Sequence, residues 1–311
     1  MGPLRNLSSS PHVRTSHSTS HEMFNVVCAL LPATFFGVYR FGFHTLLVIL
    51  MSVISAMLTE WAFCYVTHRP NSLRDCSAMV TGLILALMLP PSVPLYIPFL
   101  GSLFSIMVVK CFFGGLGQNF VNPALAGRIF LLISFGTAMT DYAVDGVSSA
   151  TPLAAFNAGE HVSTLKMFLG FVSGHIGVSI AALLIGGIYL LVTGTITLEV
   201  PLSICVSFLV FCGILGGHGF DPQFLITEFV GGGIVLGAFF MANDPVTCPV
   251  TAKGQIVYGI FIGFLGAIFR FYSNMTDGTS YAIVIGNILV PLIDRYILGT
   301  PFGIGRKKGG R

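Results

Sequence analysis

The sequence predicts an all-α, polytopic membrane protein of about ten transmembrane helices, and three observations carry that prediction. Of 311 residues, 54% are hydrophobic and only 9% are charged, whereas soluble chains carry about a quarter charged residues. Mean hydropathy is +0.87, and apolar runs recur along the chain at lengths suited to a hydrocarbon layer of about 30 Å. The 37 glycines and 28 phenylalanines suit helices that approach one another closely in lipid.

Residues 1–22 form a polar tail rich in Ser and His, with Arg5 and Arg14. No small-residue cleavage site follows, so a cytoplasmic tail is expected and not a removable signal. Apolar segments are expected at 23–39, 43–66, 77–90, 95–113 and 123–139, a first five-helix half over 23–139. The polar stretch 140–165 separates them from segments at 166–192, 197–217, 225–241, 255–272 and 280–298, a second half over 166–299. Residues 300–311 form a basic tail. Segment 43–66 reaches about 36 Å at 1.5 Å per residue, enough to cross with some tilt. Segment 77–90 is too short to cross and ends in Pro90-Pro91, so a half-helix is expected there.

Ten spans with a cytoplasmic N-terminus segregate the cations. Arg5, Arg14, Arg69, Arg74, Lys110, Arg128, Lys253, Arg295, Arg306, Lys307, Lys308 and Arg311 fall inside, against Arg40, Lys166 and Arg270 outside, a split of twelve to three. That asymmetry follows the positive-inside rule. It places both termini in the cytoplasm and the 140–165 loop, with Asp141, Asp145 and Glu160, outside. An odd number of spans per half requires any duplicated half to be inverted. Two Gly-containing segments stopped by Pro-rich breaks support a five-plus-five inverted repeat: 81–87 before prolines 90, 91 and 94, and 231–238 before Asn243-Asp244-Pro245. Paired interruptions of this kind point to a midplane site.

The residues with chemistry are few. In Asp145-Gly146-Val147-Ser148-Ser149-Ala150-Thr151-Pro152, small residues surround one accessible hydroxyl. By itself Thr151 also reads as an ordinary loop residue, or as the N-cap of a short helix opened by Pro152. Carboxylates near or within spans are Glu60, Glu199, Glu228, Asp244 and Asp294. A charge at membrane depth marks an ion path or a paired site, and Glu60, Glu228 and Asp244 are the ion-path candidates. Arg128 and Arg270 are the intramembrane cations available as their partners, or as holders of an anionic group. His175 and His218 fall near outer span ends, and His12, His17 and His21 lie in the tail. Seven scattered cysteines form no C-x-x-C pair, so no metal or iron–sulfur framework is expected. Gly114, Gly115 and Gly117 lack the Lys-Ser/Thr of a phosphate-binding loop. Gly259-x-x-x-Gly263 is a helix-packing motif, and Asn274-Met275-Thr276 is a chance-level glycosylation triplet.

Asp145–Thr151 resembles the flavinylation signature of the RnfD/NqrB family, the flavinylated membrane subunits of Rnf-type ion-translocating ferredoxin:NAD oxidoreductases and of the related sodium-pumping quinone reductases. Ser149 departs from it, since a glycine is common there. Gly114–Asn119 with Asn122-Pro123-Ala124, the Phe239–Thr247 element with its Asp244-Pro245-Val246-Thr247, and Asn287–Asp294 are similar to further family motifs, and the resemblance covers residues 23–300. The length and short N-terminal tail fit the RnfD side of the family better than the longer quinone-reductase side. The resemblance implies FMN joined to the Thr151 hydroxyl through a phosphoester, with Asp145, Ser148, Ser149 and Ala150 as attachment motif. It also implies a second, noncovalent riboflavin, a flavin transferase for maturation, and other membrane and peripheral subunits as partners. The expected function is electron transfer coupled to sodium or proton movement across a bacterial inner membrane, in contact with lipid and without nucleic acid. Ferredoxin and NAD steps belong to partner subunits, because no soluble nucleotide fold is visible here. The competing expectation is a stand-alone secondary transporter of a small solute, with an inverted repeat and no flavin.

Overall fold

The computed structural model describes residues 18–69, 72–144, 147–148, 163–217, 219–231, 233–273 and 278–297, with backbone alone at 143–144 and 147–148. Helix α1 (Thr19–Phe41) opens on Ser18, whose hydroxyl accepts the His21 amide, as N-cap residues do. It turns into α2 (Phe43–Val66) at Gly42, where φ is 83°, a value that favours glycine. Helix α3 (Ser77–Leu87) has 11 residues, about 16 Å or half a bilayer. α4 (Tyr96–Phe104) continues as a π-helical stretch, Ser105–Cys111. α5 (Pro123–Ser134) is capped by the Asn122 side chain and has proline at its first position. The short α6 (Gly136–Thr140) leads to the strands β1 (Ala143–Val144) and β2 (Val147–Ser148), paired with Ala143 opposite Ser148.

The later elements are α7 (Thr164–Leu169), α8 (Ile180–Val192), α9 (Glu199–Leu215), α10 (Pro222–Gly231), α11 (Ile234–Leu236, continued by π-helical Gly237–Met241), α12 (Ala252–Tyr272) and α13 (Gly278–Tyr296). Among the described helices α1, α2 and α12 are long and apolar enough to cross a membrane alone. The α10 axis meets the Ile234–Met241 segment at 62°.

Two expected segments are divided differently. Segment 166–192 is not one helix: α7 stops at Gly170, with φ of 90°, and residues 170–179 are non-helical before α8. Glycines 170, 174 and 177 fall within that interval, and its amides find partners elsewhere. Ile176 and Gly177 donate to the Leu89 and Leu87 carbonyls at 3.0 and 2.8 Å, groups the proline break leaves without helical partners. Segment 225–241 breaks within its glycine run near Gly233, not only at Asn243-Asp244-Pro245.

Side-chain contacts order the ends of the bundle. At one end Ser20 Oγ reaches Asp75 (3.5 Å), Asn25 Nδ2 reaches Thr195 (3.4 Å) and Thr197 reaches Gln255 (3.0 Å). At the other, Ser92 Oγ donates to the Asp141 carbonyl at 2.7 Å, and Gly37 lies against Ile176. α1 packs on α8, and α5 on α13. The α9–α12 contact is built on the Gly259-x-x-x-Gly263 face. A Cβ at Gly263 would stand 2.7 Å from the Phe208 amide nitrogen, which cannot yield. At Gly266 the same atom meets Phe208 at 3.6 Å, an ordinary contact.

These two glycines should therefore respond differently. Gly263→Ala is expected to lower stability by about 1–3 kcal/mol through overpacking, while Gly266→Ala leaves it within about 0.5 kcal/mol. Thermal unfolding of the detergent-solubilised protein measures both, and equal losses would contradict the packing described.

Candidate functional site

Three buried features lie between the helices: a lysine–glutamate pair, an arginine–glutamate pair and a small, mostly apolar cavity with a few polar groups in its wall. The first pair starts from Glu60 on α2. Lys110 Nζ, on the π-helical end of α4, donates to Glu60 Oε1 at 2.7 Å and to Ser77 Oγ at 2.7 Å. Both charged side chains are only 2% exposed. Ser72 Oγ also donates to Glu60 Oε1, while Oε2 is buried without a hydrogen bond among the described residues. The π-helical turn matters here, because the wider register lets the Lys110 side chain emerge toward α2 and the start of α3.

The second pair joins Glu228 on α10 to Arg270 near the end of α12. Arg270 Nη1 contacts Glu228 Oε2 at 3.1 Å and donates to the Glu228 carbonyl at 2.6 Å. The guanidinium carbon also lies 5.2 Å from the Phe208 ring centroid, a cation–π distance. Each pair keeps a buried charge compensated, the condition for a carboxylate to persist in such surroundings.

The third feature is a cavity of about 60 Å³ lined by Ser77, Thr81, Lys110, Asn119, Asn243 and Asp244 among others. Asp244 lies just past the π-helical end of α11. Its carboxylate is faced by the Asn119 side chain, the Thr247 side chain and the Val246 amide, all neutral donors. Asn122 ties this region to α11 by donating to the Met241 carbonyl at 3.2 Å. Buried Asn287 and Tyr258 approach to 2.6 Å alongside, joining α13 to α12.

Toward the opposite end, Arg128 is buried within α5, with Nη2 3.3 Å from His175 Nε2. The Tyr142 ring stands edge-on to His175 with centroids 5.1 Å apart. Tyr142 immediately precedes β1, so this cluster lies at the foot of the strand pair that opens the 140–165 stretch. Of the residues expected to form an attachment motif, Ser148 is described as backbone in β2. Asp145, Ser149, Ala150 and Thr151 lie outside the described residues, as do Glu160, His12, His17, His218, the 274–276 triplet and the tail 300–311.

The sequence expectations meet this geometry unevenly. Glu228 has the partner expected for it in Arg270. Arg128, counted with the inner helix ends and also expected as an intramembrane cation, is buried in α5 beside His175, so with Lys110 the inner side of the cation split loses two members. Lys110, also expected as an inner-end charge, is the buried counter-ion of Glu60. A signal for it existed: Lys110 follows four residues without a polar side chain and precedes Cys111-Phe112-Phe113, an unusual place for a solvated lysine. Gly114, Gly115 and Gly117 all have positive φ, which explains them as backbone turns.

Comparison with known proteins gives a consistent answer. A family model described as the NQR2, RnfD, RnfE family matches residues 6–303. The chain is 44% identical over 312 residues to the D subunit of the Na(+)-translocating ferredoxin:NAD(+) oxidoreductase complex of Acetobacterium woodii, covering 97% of this chain and 96% of that protein. It is 38% identical over 322 residues to the D subunit of the proton-translocating ferredoxin:NAD(+) oxidoreductase complex of Clostridium ljungdahlii, covering 96% of each. Identity to the D subunit of the ion-translocating oxidoreductase complex of Actinobacillus succinogenes is 34% over 349 residues, covering 96% of this chain and 98% of that one.

The arginine pair can be tested by uncoupling its charges. Arg270→Met strands a buried carboxylate and is expected to lower stability by about 3–5 kcal/mol. Adding Glu228→Gln to it should restore at least half of that loss, since the second change removes the stranded charge. Thermal unfolding of the two variants decides; no recovery in the double variant would mean that Arg270 acts by packing alone.

Proposed function

Because this chain belongs to the NQR2, RnfD, RnfE family, we propose that it is the flavin-bearing membrane component of an ion-translocating ferredoxin:NAD oxidoreductase complex, in the position of the D subunits it resembles. In this proposal FMN is joined by a phosphoester to Thr151, and the chain carries electrons within the complex while sodium or protons cross the membrane. The observation that carries the proposal is likeness along nearly the whole chain to subunits of that name, 44% identical in one case, together with the signature Asp145–Thr151. Partners are then the other subunits of the complex and a flavin transferase. The setting is a bacterial inner membrane, with ten crossings in two inverted halves, both termini inside and the Thr151 loop outside.

Several features of the fold support this. Contacts between α1 and α8, and between α5 and α13, pair equivalent helices of the two halves. The lysine–glutamate and arginine–glutamate pairs each tie the fourth long segment of a half to an earlier carboxylate. The loop with the signature links the halves, and its first strand leaves the Tyr142–His175–Arg128 cluster. In the sequence, Ser148, Ser149 and Ala150 are small, which suits phosphoryl transfer to the neighbouring threonine hydroxyl. FMN, when bound, supplies the redox chemistry, while the protein sets its position and electrostatic surroundings. The Arg128 guanidinium of that cluster suits a site near a phosphate or an electron-rich ring. The second flavin, a noncovalent riboflavin, is part of the proposal on the resemblance alone. Glu60, Glu228 and Asp244 are its ion-path residues.

Protein made together with its flavin transferase should give a flavin-fluorescent band under ultraviolet light at the mass of the chain on a denaturing gel. Thr151→Ala should abolish that fluorescence while the protein still inserts in the membrane. Persistent fluorescence would place the flavin on another residue. Absence of the band from the wild-type chain would favour a flavin-free transporter.

A further inference from the structure

The contact between α9 and α12 leaves a groove of about 590 Å³ on the lipid-facing surface of the bundle. One wall is Leu202, Val206 and Val210, spaced four residues apart along α9. The other is Ile256 and Ile260, spaced likewise on α12. All five are exposed. Ser203 and Ser207 form the floor, and both hydroxyls are already satisfied. Ser203 Oγ donates to the Val200 carbonyl at 3.0 Å, and Ser207 Oγ to the Ile204 and Gly259 carbonyls at 3.1 and 3.2 Å. The floor therefore asks no hydrogen bond of whatever fills the groove, and hydrocarbon suits it.

The groove has one closed end and one open end. Phe211 closes it, with its ring set against Phe264 at a centroid distance of 4.9 Å. At the open end Glu199 lies half-buried in the first turn of α9. From Glu199 to Phe211 the groove runs about 18 Å along the helix. A hydrocarbon layer is about 30 Å thick, so one leaflet is about 15 Å deep. The groove thus begins at a helix end and stops about one leaflet in. That depth fits a lipid chain; a transmembrane helix would need a seam that continues across the layer.

Two opposite charges mark the open end. Glu199 is one, and Lys253 is the other, exposed one turn before Ile256 on the same face of α12. Thr197 donates to Gln255 at 3.0 Å, so the starts of the two helices adjoin there. The carboxylate suits an ammonium with N–H groups to donate, and the lysine suits a phosphate. An anionic headgroup would meet Glu199 with like charge, and a quaternary ammonium has no N–H to offer it. A phosphodiester carrying a primary ammonium answers both side chains.

We propose that this groove holds one phospholipid of the phosphatidylethanolamine type, with an acyl chain between the α9 and α12 walls, its ammonium at Glu199 and its phosphate at Lys253. Under the topology proposed above it is a lipid of the cytoplasmic leaflet. The site goes beyond the redox reading and does not depend on it. A chain seated there braces α9 against α12, the helix that carries Arg270 to Glu228.

The test starts from the whole complex, extracted in mild detergent and exchanged into an equimolar mixture of phosphatidylethanolamine, phosphatidylcholine and phosphatidylglycerol. Native mass spectrometry then counts and identifies the lipid retained by this chain. One phosphatidylethanolamine is expected, preferred over either competitor by about fivefold, the scale of one partly exposed ion pair. Glu199→Lys should reverse the preference toward phosphatidylglycerol, a change of sign that general damage to the fold does not produce. Val206→Trp fills the groove and should abolish retention; if it does not assemble, Ile256→Trp fills it from the other wall. Equal retention of the three lipids, no retained lipid, or an unchanged preference in Glu199→Lys would overturn the inference. In membranes, a photo-crosslinker attached to Leu202→Cys should label phosphatidylethanolamine. Label on another subunit of the complex would show a protein helix in the groove and overturn it as well. None of these outcomes alters the flavin-fluorescent band, so failure here is distinct from failure of the proposed function.

Discussion

The structure depends on how backbone groups are satisfied where helices stop inside the bundle. Helix α3 ends far short of a full crossing because Pro90 and Pro91 cannot continue it, and this strands the carbonyls of Leu87 and Leu89. Water is not available to a group at membrane depth, so another part of the chain must supply the donors. The amides of Ile176 and Gly177 do so at 3.0 and 2.8 Å. Gly177 makes that approach possible, since a Cβ there would stand 3.0 Å from the Leu87 oxygen. Through this contact the segment entering the second half is fixed against the broken helix of the first. The non-helical run 170–179 follows from it.

The same economy governs charge. Two carboxylates are matched by cations from a different helix, and the pairs use different chemistry. Arginine holds Glu228 through Nη1 alone, which donates to both the carboxylate and the backbone carbonyl. Lysine is a point charge, and it shares itself between Glu60 and a serine. Asp244 stands apart with neutral neighbours at the edge of a small cavity. The interior thus holds two compensated pairs and one carboxylate faced by neutral donors.

Much of this was legible in the chain. The helical membrane class followed from composition and run length. The half-helix at 77–87 followed from its prolines, and the α9–α12 contact from Gly259 and Gly263. Glu228 and Arg270 were both singled out, because each interrupts an apolar run. Lys110 was less visible. Its neighbours are apolar, but it sits close to an expected helix end, where a lysine ordinarily reaches the water. Arg128 had the same ambiguity. The single helix expected over 166–192 failed because glycines 170, 174 and 177 were outweighed by mean apolarity, although glycine runs also serve non-helical backbone.

By itself, the sequence determined that the chain is a bundle of apolar helices with two proline-broken segments and a threonine in a small-residue signature. Those properties are local: they depend on residue types within a turn or two of one another. The tertiary structure decided which charges meet. Glu60 and Lys110 are 50 residues apart, and Glu228 and Arg270 are 42 apart. No spacing rule relates such distant positions, since their meeting depends on which helices pack together and in what register. For the same reason only the folded bundle shows that Asp244, one acid among several in the sequence, lines a small cavity together with Lys110 of the first half.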